Sequence, residues 1–418
     1  MRDTLEVVID RMGFLGDGIA RHDNGKDIRE LVVPTALPGE RWIVAVEGRD
    51  RKRLRGRPVR LVERSPGRID APCPHFERCG GCALQHIPLS QALGLKVAMI
   101  EGALSNRGLA HPPFDPPAVS PEASRRRIRL AVDRNGRVGF RERWSRSLVA
   151  IGHCIVAEPA LDMLLPALNE LAPRLGWLAK GGEIQLTRTD NGVDMHGQSP
   201  LRPSVADVKR LADTLAPHGL LRISWADGTA DIVETLWQVG EPVIRIGEYD
   251  LPLPPAAFLQ ATGDGLRSLQ DFAVEVLAGA TSLADLFCGL GSLSLPLLDR
   301  LDRLTAVDDN RSAIRALQVT VPAVDARVQN LQTRPLSARD LRRLDAAIID
   351  PPRAGAMAQC EAIARSTLQR LVYVSCHPAS FARDAAILVR HGFRIERLRP
   401  IDQFTHAPAI ELAAYLVR

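Results

Sequence analysis

Three residues near the end of the sequence have the types needed for covalent chemistry with a proton transfer. Asp350 closes the apolar run of "DAAIIDPPRAG" (345–355), Cys376 closes that of "LVYVSCHP" (371–378), and Glu411 opens "IELAAYLV" (410–417). A thiol attacks electron-poor carbon once it is deprotonated, and a carboxylate takes up a proton. A second cluster lies far away: "CPHFERCGGC" (73–82) holds three of the seven cysteines in one proline- and glycine-laced turn. No N-terminal apolar leader and no membrane-spanning run is visible, so the expected compartment is the cytoplasm, with thiols kept reduced. There, clustered cysteines point to metal or catalysis more than to disulfides.

The elements that would position these groups follow from the pattern of apolar runs. From about residue 256, "TSLADLF", "LTAVD", "DAAIID", "LVYVSC" and "IELAAYLV" alternate with helical stretches, as in a doubly wound α/β domain. Ligands of such sheets sit beyond the carboxyl ends of the strands, which gives Asp350 and Cys376 one shared edge. An antiparallel last strand would return Glu411 to that edge. Strand-end turns and a buried cysteine account for any one of the three, but poorly for all together. In "SLADLFCGLGSLSLPLL" (282–298), Gly289 and Gly291 let a ligand approach the backbone, and Asp308 ends the next strand where it can bind ribose hydroxyls. The third glycine of a dinucleotide fingerprint is replaced by Ser294, which favours another adenosyl cofactor.

Residues 4–63 read as several short strands with Gly and Pro turns, the pattern of a small β-barrel. Helices are expected over 90–107 and 158–175, and a proline-rich loop over 111–124. The 418 residues, 45% hydrophobic and 25% charged, suffice for several cores. The net charge of +5 is modest, but arginine concentrates in 48–64 and in "SRRRIRL" (124–130). Such clusters suit a polyanion, although lysine is rare and a bias toward arginine accounts for part of the density.

Taken in order, these motifs resemble the S-adenosylmethionine-dependent RNA uracil-5-methyltransferases, above all the iron–sulfur-containing enzymes of 23S ribosomal RNA. The resemblance runs essentially end to end through "CPHFERCGGCALQH", "FLQAT", "DLFCGLG", "DPPRAG", "YVSCHP" and the final Glu. It implies a doubly wound class I methyltransferase domain (256–418), an N-terminal TRAM-type, OB-like β-barrel that binds RNA (1–67) and a mixed α+β central domain (68–255). It assigns Cys376 as nucleophile and Glu411 as base. Gln260, Phe287, Asp308, Asn330 and Asp350 fall on cofactor-contacting positions, with Asp350 also suited to uracil N3–H. Cys73, Cys79, Cys82 and the remote Cys154 fall on the ligands of a [4Fe–4S] cluster, zinc being the rival metal.

The expected partner is RNA, most specifically 23S rRNA, bound by a monomer away from membranes. A tRNA uridine, another base or a noncatalytic RNA-binding role are the alternatives. The sequence departs from the family pattern at His377 for Asn, Asp308 for Glu, Thr262 for Asn, and at Thr405, Ala407 and Ala409 before the final Glu. Aromatic residues make up only 4% of the chain, and Phe76, Trp144 and Phe404 are the candidates for stacking on RNA bases.

Overall fold

The computed structural model describes residues 4–13, 15–23, 28–50, 53–228 and 233–418; Arg51 and Lys52 of the arginine-rich stretch lie outside them. The chain divides into two compact units. The first comprises residues 1–99, 141–149 and 406–409, and the second 100–140, 150–405 and 410–418. No described helix is long and apolar enough to cross a membrane.

The first unit is built on a six-stranded sheet in the order Thr4–Val8, Arg41–Asp50, Arg53–Glu63, Ile28–Val33, Gly18–Asp23, Arg11–Met12. Val7, Ala20, Leu31, Val33 and Val44 project from four strands into one small core. The Asp10 amide donates to the Ile19 carbonyl at 2.9 Å, joining the end of the first strand to the fifth in that order. Gly18 is required by packing, because a Cβ there would stand 2.7 Å from the Ala36 carbonyl oxygen. The fully buried Glu40 anchors the following loop. It accepts from Arg68 Nε at 2.5 Å, the Leu37 amide at 2.8 Å and Trp42 Nε1 at 2.9 Å. Burial alone would raise its pKa, but these donors hold it below the ordinary glutamate value.

The second unit contains two large sheets. The order in the seven-stranded one is Leu148–Ala150, Val138–Arg141, Arg127–Val132, Gly182–Arg188, Val193–Gln198, Leu220–Ala226, Glu234–Gln238. The helix expected over 158–175 is broken into Pro159–Asp162 and Leu164–Leu171, followed by short 3-10 turns. Pro173 has no amide hydrogen to continue it. The eight-stranded sheet runs Asp325–Val328, Arg303–Asp308, Ser282–Leu286, Ala346–Ile349, Arg370–Ser375, Glu411–Val417, Arg394–Asp402, Ala118–Val119. Its first five strands are parallel, and Glu411–Val417 is antiparallel to both neighbours. Strand order reverses between Ser282–Leu286 and Ala346–Ile349, which opens a crevice at their carboxyl ends.

Replacing Glu40 with Ala leaves Arg68 buried without its carboxylate partner, a loss of about 3–5 kcal/mol for such pairs. The expected result is an earlier denaturant transition of the first unit, followed by Trp42 fluorescence, with the second unit's transition unmoved.

Candidate active site

The antiparallel return of the last strand brings the three reactive groups to one edge. Ser375 pairs with Leu412, so continuing the register by one residue sets Cys376 opposite Glu411. Asp350 follows the adjacent strand Ala346–Ile349, its amide donating to the Leu286 carbonyl at 3.2 Å. Cys376 and Asp350 are half-buried and Glu411 is buried.

The electrostatics follow from this crowding. Burial pushes Glu411 up to about 7, against the opposing pull of a hydrogen bond from Gln403. Burial, then the nearby Glu411 and Asp285, raises Asp350 well above the usual range. Burial and the charges of Glu411 and Asp350 push the Cys376 thiol up to about 11, while Arg353 pulls it down. The thiol is therefore mostly protonated at neutral pH in the ligand-free protein.

Two amides tie the carboxylates together. Gln260 Nε2 donates to Asp350 Oδ2, and Gln403 Nε2 donates to both Gln260 Oε1 and Glu411 Oε2, each at 2.9 Å. Arg126 Nε in turn donates to the Gln260 carbonyl at 3.0 Å. Gln403 was not among the sequence candidates; in "IDQF" it resembles an ordinary turn residue.

The glycine turn beside them is shaped for a ligand. Phe287 is held at φ +62°, a conformation costly for a side chain with a Cβ. Gly289 and Gly291 also have positive φ, and a Cβ on Gly289 would meet nothing within 4 Å. Asp308 accepts from the Gly289 amide at 2.9 Å and from the Asn310 amide at 2.8 Å, which fixes its carboxylate beside that open space. Asp285, not a candidate from the sequence, lies on the strand that leads into this turn. Ser294 donates to its Oδ2 at 2.5 Å, its Oδ1 is buried without a partner, and burial raises its pKa to about 7. An unpartnered buried acceptor at a ligand turn is a place for a donor from the ligand or its water. Asn330 is exposed and closes its own turn, accepting from the Gln332 and Thr333 amides and donating to Asp309 at 3.0 Å.

His377 has a local explanation. It caps helix Pro378–Arg390 by accepting the Ser380 amide on Nδ1 at 3.3 Å, a job that needs a neutral imidazole. Burial, then Arg353 and Arg383, lowers its pKa in keeping with this.

The four cysteines of the metal assignment fall on both units. Cys73, Cys79 and Cys82 lie in the first unit and Cys154 in the second, none of the seven cysteines is disulfide-bonded, and among the described residues no group of three or more His, Cys, Asp or Glu is arranged to hold a metal ion. Within the thiol turn the Cys79 amide donates to the His75 carbonyl at 2.7 Å and the Phe76 amide to that of Cys73 at 3.1 Å, and the Gly80 amide donates to the distant Arg141 carbonyl at 2.9 Å. The donor chemistry of four thiols suits an iron–sulfur cluster. Of the stacking candidates, Phe76 is buried, packed on His86 at 5.4 Å between ring centres, and presents no face to RNA. Trp144 is 43% exposed, at φ +58°, with the Arg55 guanidinium 5.6 Å from its ring centre. Phe404 is half-buried under Arg125, 5.9 Å from its ring centre.

Comparison with known proteins fits this edge. The family model for tRNA (uracil-5-)-methyltransferases matches residues 253–418. A 23S rRNA (uracil(1939)-C(5))-methyltransferase RlmD of Chromohalobacter salexigens is 34% identical, over 98% of this chain and 88% of its own. The chain belongs to the RNA uracil-5-methyltransferase family. An RNA methyltransferase of Caulobacter vibrioides is likewise 34% identical, over 99% of this chain and 100% of its own. Among solved structures, the Pyrococcus abyssi tRNA (uracil-54, C5)-methyltransferase in complex with S-adenosyl-L-homocysteine superposes with a TM-score of 0.77 at 25% identity, covering 99% of both chains. The eight-stranded sheet thus has the class I methyltransferase fold.

The raised carboxyls give a signed pH dependence. Glu411 ionises near 4.5 when unfolded and near 7 when folded, and Asp285 near 3.8 and near 7. Between those values the folded form keeps protons that the unfolded chain has lost, so stability is full below about pH 4 and falls as pH rises through 7. Thermal unfolding of the ligand-free protein should therefore occur at lower temperature at pH 8 than at pH 5.5. Asp285→Asn should narrow that gap, and an unchanged gap would show that burial of Asp285 does not govern it.

Proposed function

We propose that this RNA uracil-5-methyltransferase carries a methyl group from S-adenosylmethionine to C5 of a uridine in 23S ribosomal RNA, through a covalent adduct on Cys376. The convergence of Cys376, Glu411 and Asp350 at one sheet edge carries this reading. The strained Phe287, the open face of Gly289 and the fixed carboxylate of Asp308 fit an adenosyl ligand, with Gln260 and Asp350 beyond them. The cofactor supplies an electrophilic methyl on a sulfonium.

Uracil C5 is a weak nucleophile until C6 is attacked. The Cys376 sulfur donates an electron pair to form the C6–S bond, and the C5=C6 π pair shifts to C5 and O4 as an enolate. C5 uses that pair to bond the methyl carbon, whose bond to the sulfonium would break with its electron pair left on sulfur as a neutral thioether. Glu411 then takes the C5 proton; the C–H pair re-forms C5=C6, and the C6–S pair returns to Cys376 as thiolate. Arg353 is the cation of this chain that favours the thiolate. Asp350 is suited to accept uracil N3–H, a contact cytosine does not offer.

Ribosomal RNA is favoured over tRNA by the 34% identity to the RlmD relative, against 25% for the tRNA enzyme. In this reading residues 1–67 are a TRAM-type RNA-binding module, 68–255 the central domain and 256–418 the catalytic one. The basic strand Arg53–Glu63 and the Trp144–Arg55 pair offer phosphate and base contacts. Cys73, Cys79, Cys82 and Cys154 are the proposed cluster ligands on the chemistry of their thiols, and no catalytic step passes through them.

RNA containing 5-fluorouracil should form a denaturation-resistant, methylated adduct, because fluorine cannot leave as the proton does. Cys376→Ala should abolish the adduct. Glu411→Gln should accumulate it even on ordinary uridine RNA, with kcat reduced by about 10²–10⁴-fold. If no adduct and no methyl transfer occur on ribosomal RNA from a strain lacking the gene, the enzymatic reading fails.

Protein purified without oxygen should contain iron and labile sulfide and absorb visible light. Cys79→Ser should lose both, and stoichiometric zinc instead would overturn the cluster assignment.

A further inference from the structure

The two glutamines of the active-site edge form a directional chain whose ends are both carboxylates. Gln403 is buried, and both hydrogens of its amide nitrogen are committed, one to Gln260 Oε1 and one to Glu411 Oε2. Its oxygen accepts the Thr262 amide at 3.4 Å. A flipped amide would turn its oxygen toward two other oxygens, so this orientation is the one that satisfies every partner. Gln260 continues the direction, accepting on Oε1 and donating from Nε2 to Asp350 Oδ2.

The support behind Gln403 is rigid. Thr262 caps helix Gly263–Val276 through the Gly265 amide at 3.0 Å and contacts Ser120 Oγ at 2.7 Å. A Cβ on Gly265 would come within 2.9 Å of both Gln403 Cβ and Oε1. The helix start is thus shaped so that the Gln403 side chain fits against it.

We propose that Gln403 is the positioning residue of the proton-abstraction step: it holds Glu411 by Oε2, directs Oε1 to take the uracil C5 proton, and keeps the carboxylate an acceptor. This rests on the reading of Glu411 as the base. Gln403 itself gains and loses no proton, because its amide nitrogen is too weak an acid to give one up and presents no acceptor to either neighbour. The C5 proton therefore stays on Glu411 until it is released, and does not travel to Asp350. The charged or titratable groups facing Glu411 from the packed elements are Asp350, after strand Ala346–Ile349, and Cys376, after strand Arg370–Ser375, with Arg353 acting on Cys376. Asp402, on the strand paired with Glu411, has its Oδ1 committed to the Phe404 amide at 3.1 Å.

The test is a single-turnover assay with unmodified uridine RNA, in which adduct formation and adduct breakdown are followed separately on denaturing gels across pH 6–9. Gln403→Met keeps the length of the side chain and removes the donor. Breakdown should slow at least tenfold at pH 7, its midpoint should move to higher pH, and formation should change less than threefold. Gln403→Asn, which keeps the amide but falls short of Glu411, should behave the same way and serves if the first variant does not fold. Breakdown that superimposes on wild type, or formation and breakdown falling together, overturns the proposal. Wild-type protein that forms no adduct with 5-fluorouracil RNA would instead sink the parent reading, so the two failures are distinct.

Discussion

The active site depends on one pairing: the antiparallel register of Glu411–Val417 against Arg370–Ser375. All other strands that end at this edge are parallel, and parallel strands deliver only their carboxyl ends there. The reversal delivers an amino end, and with it a carboxylate directly across from the thiol. One residue of slip would turn Glu411 to the other face of the sheet. The buried positions of Leu412, Ala413, Ala414 and Leu416 oppose such a slip, so packing of the sheet also fixes the chemistry.

That placement concentrates acids where few cations compensate. Asp285, Asp350 and Glu411 are all pushed toward their neutral forms, and the thiol between them toward its own. On the proposed mechanism, a cofactor that brings positive charge would relieve the same crowding that raises the thiol, linking binding to activation. Backbone strain at Phe287 belongs to the same account: a site shaped for ligands is held in a state that folding alone would not select.

Much of this was legible because strand ends are legible. Apolar runs stopping at Asp350, Cys376 and Asp308 placed those residues by topology alone, and the terminal Glu needed only the assumption of a reversed last strand. What stayed hidden was contact between distant segments. Gln403 meets Gln260 across 143 positions, and nothing in "IDQF" announces it. Asp285 reads as one more position of an apolar strand, and its hydrogen bond from Ser294 spans the glycine turn. Phe76 was judged by ring type, whereas His86 covers it. The stop before Pro173 is visible in the sequence, whereas the interruption at Met163 has no such signal. His377, a departure on paper, proves to be a different side chain capping the helix that follows Cys376.

The first unit is assembled from three separate stretches of chain, the last being residues 406–409. There the His406 carbonyl accepts from the amides of Ala83 and Leu84, at 2.8 and 3.0 Å. During synthesis, the thiol turn is made early and waits for a partner encoded more than three hundred residues later. Its last hydrogen bonds close a very long loop, slowly and only after the residues on either side of 406–409 exist. A premature stop shortly before residue 406 would therefore leave the Ala83 and Leu84 amides without this carbonyl as surely as it would remove Glu411.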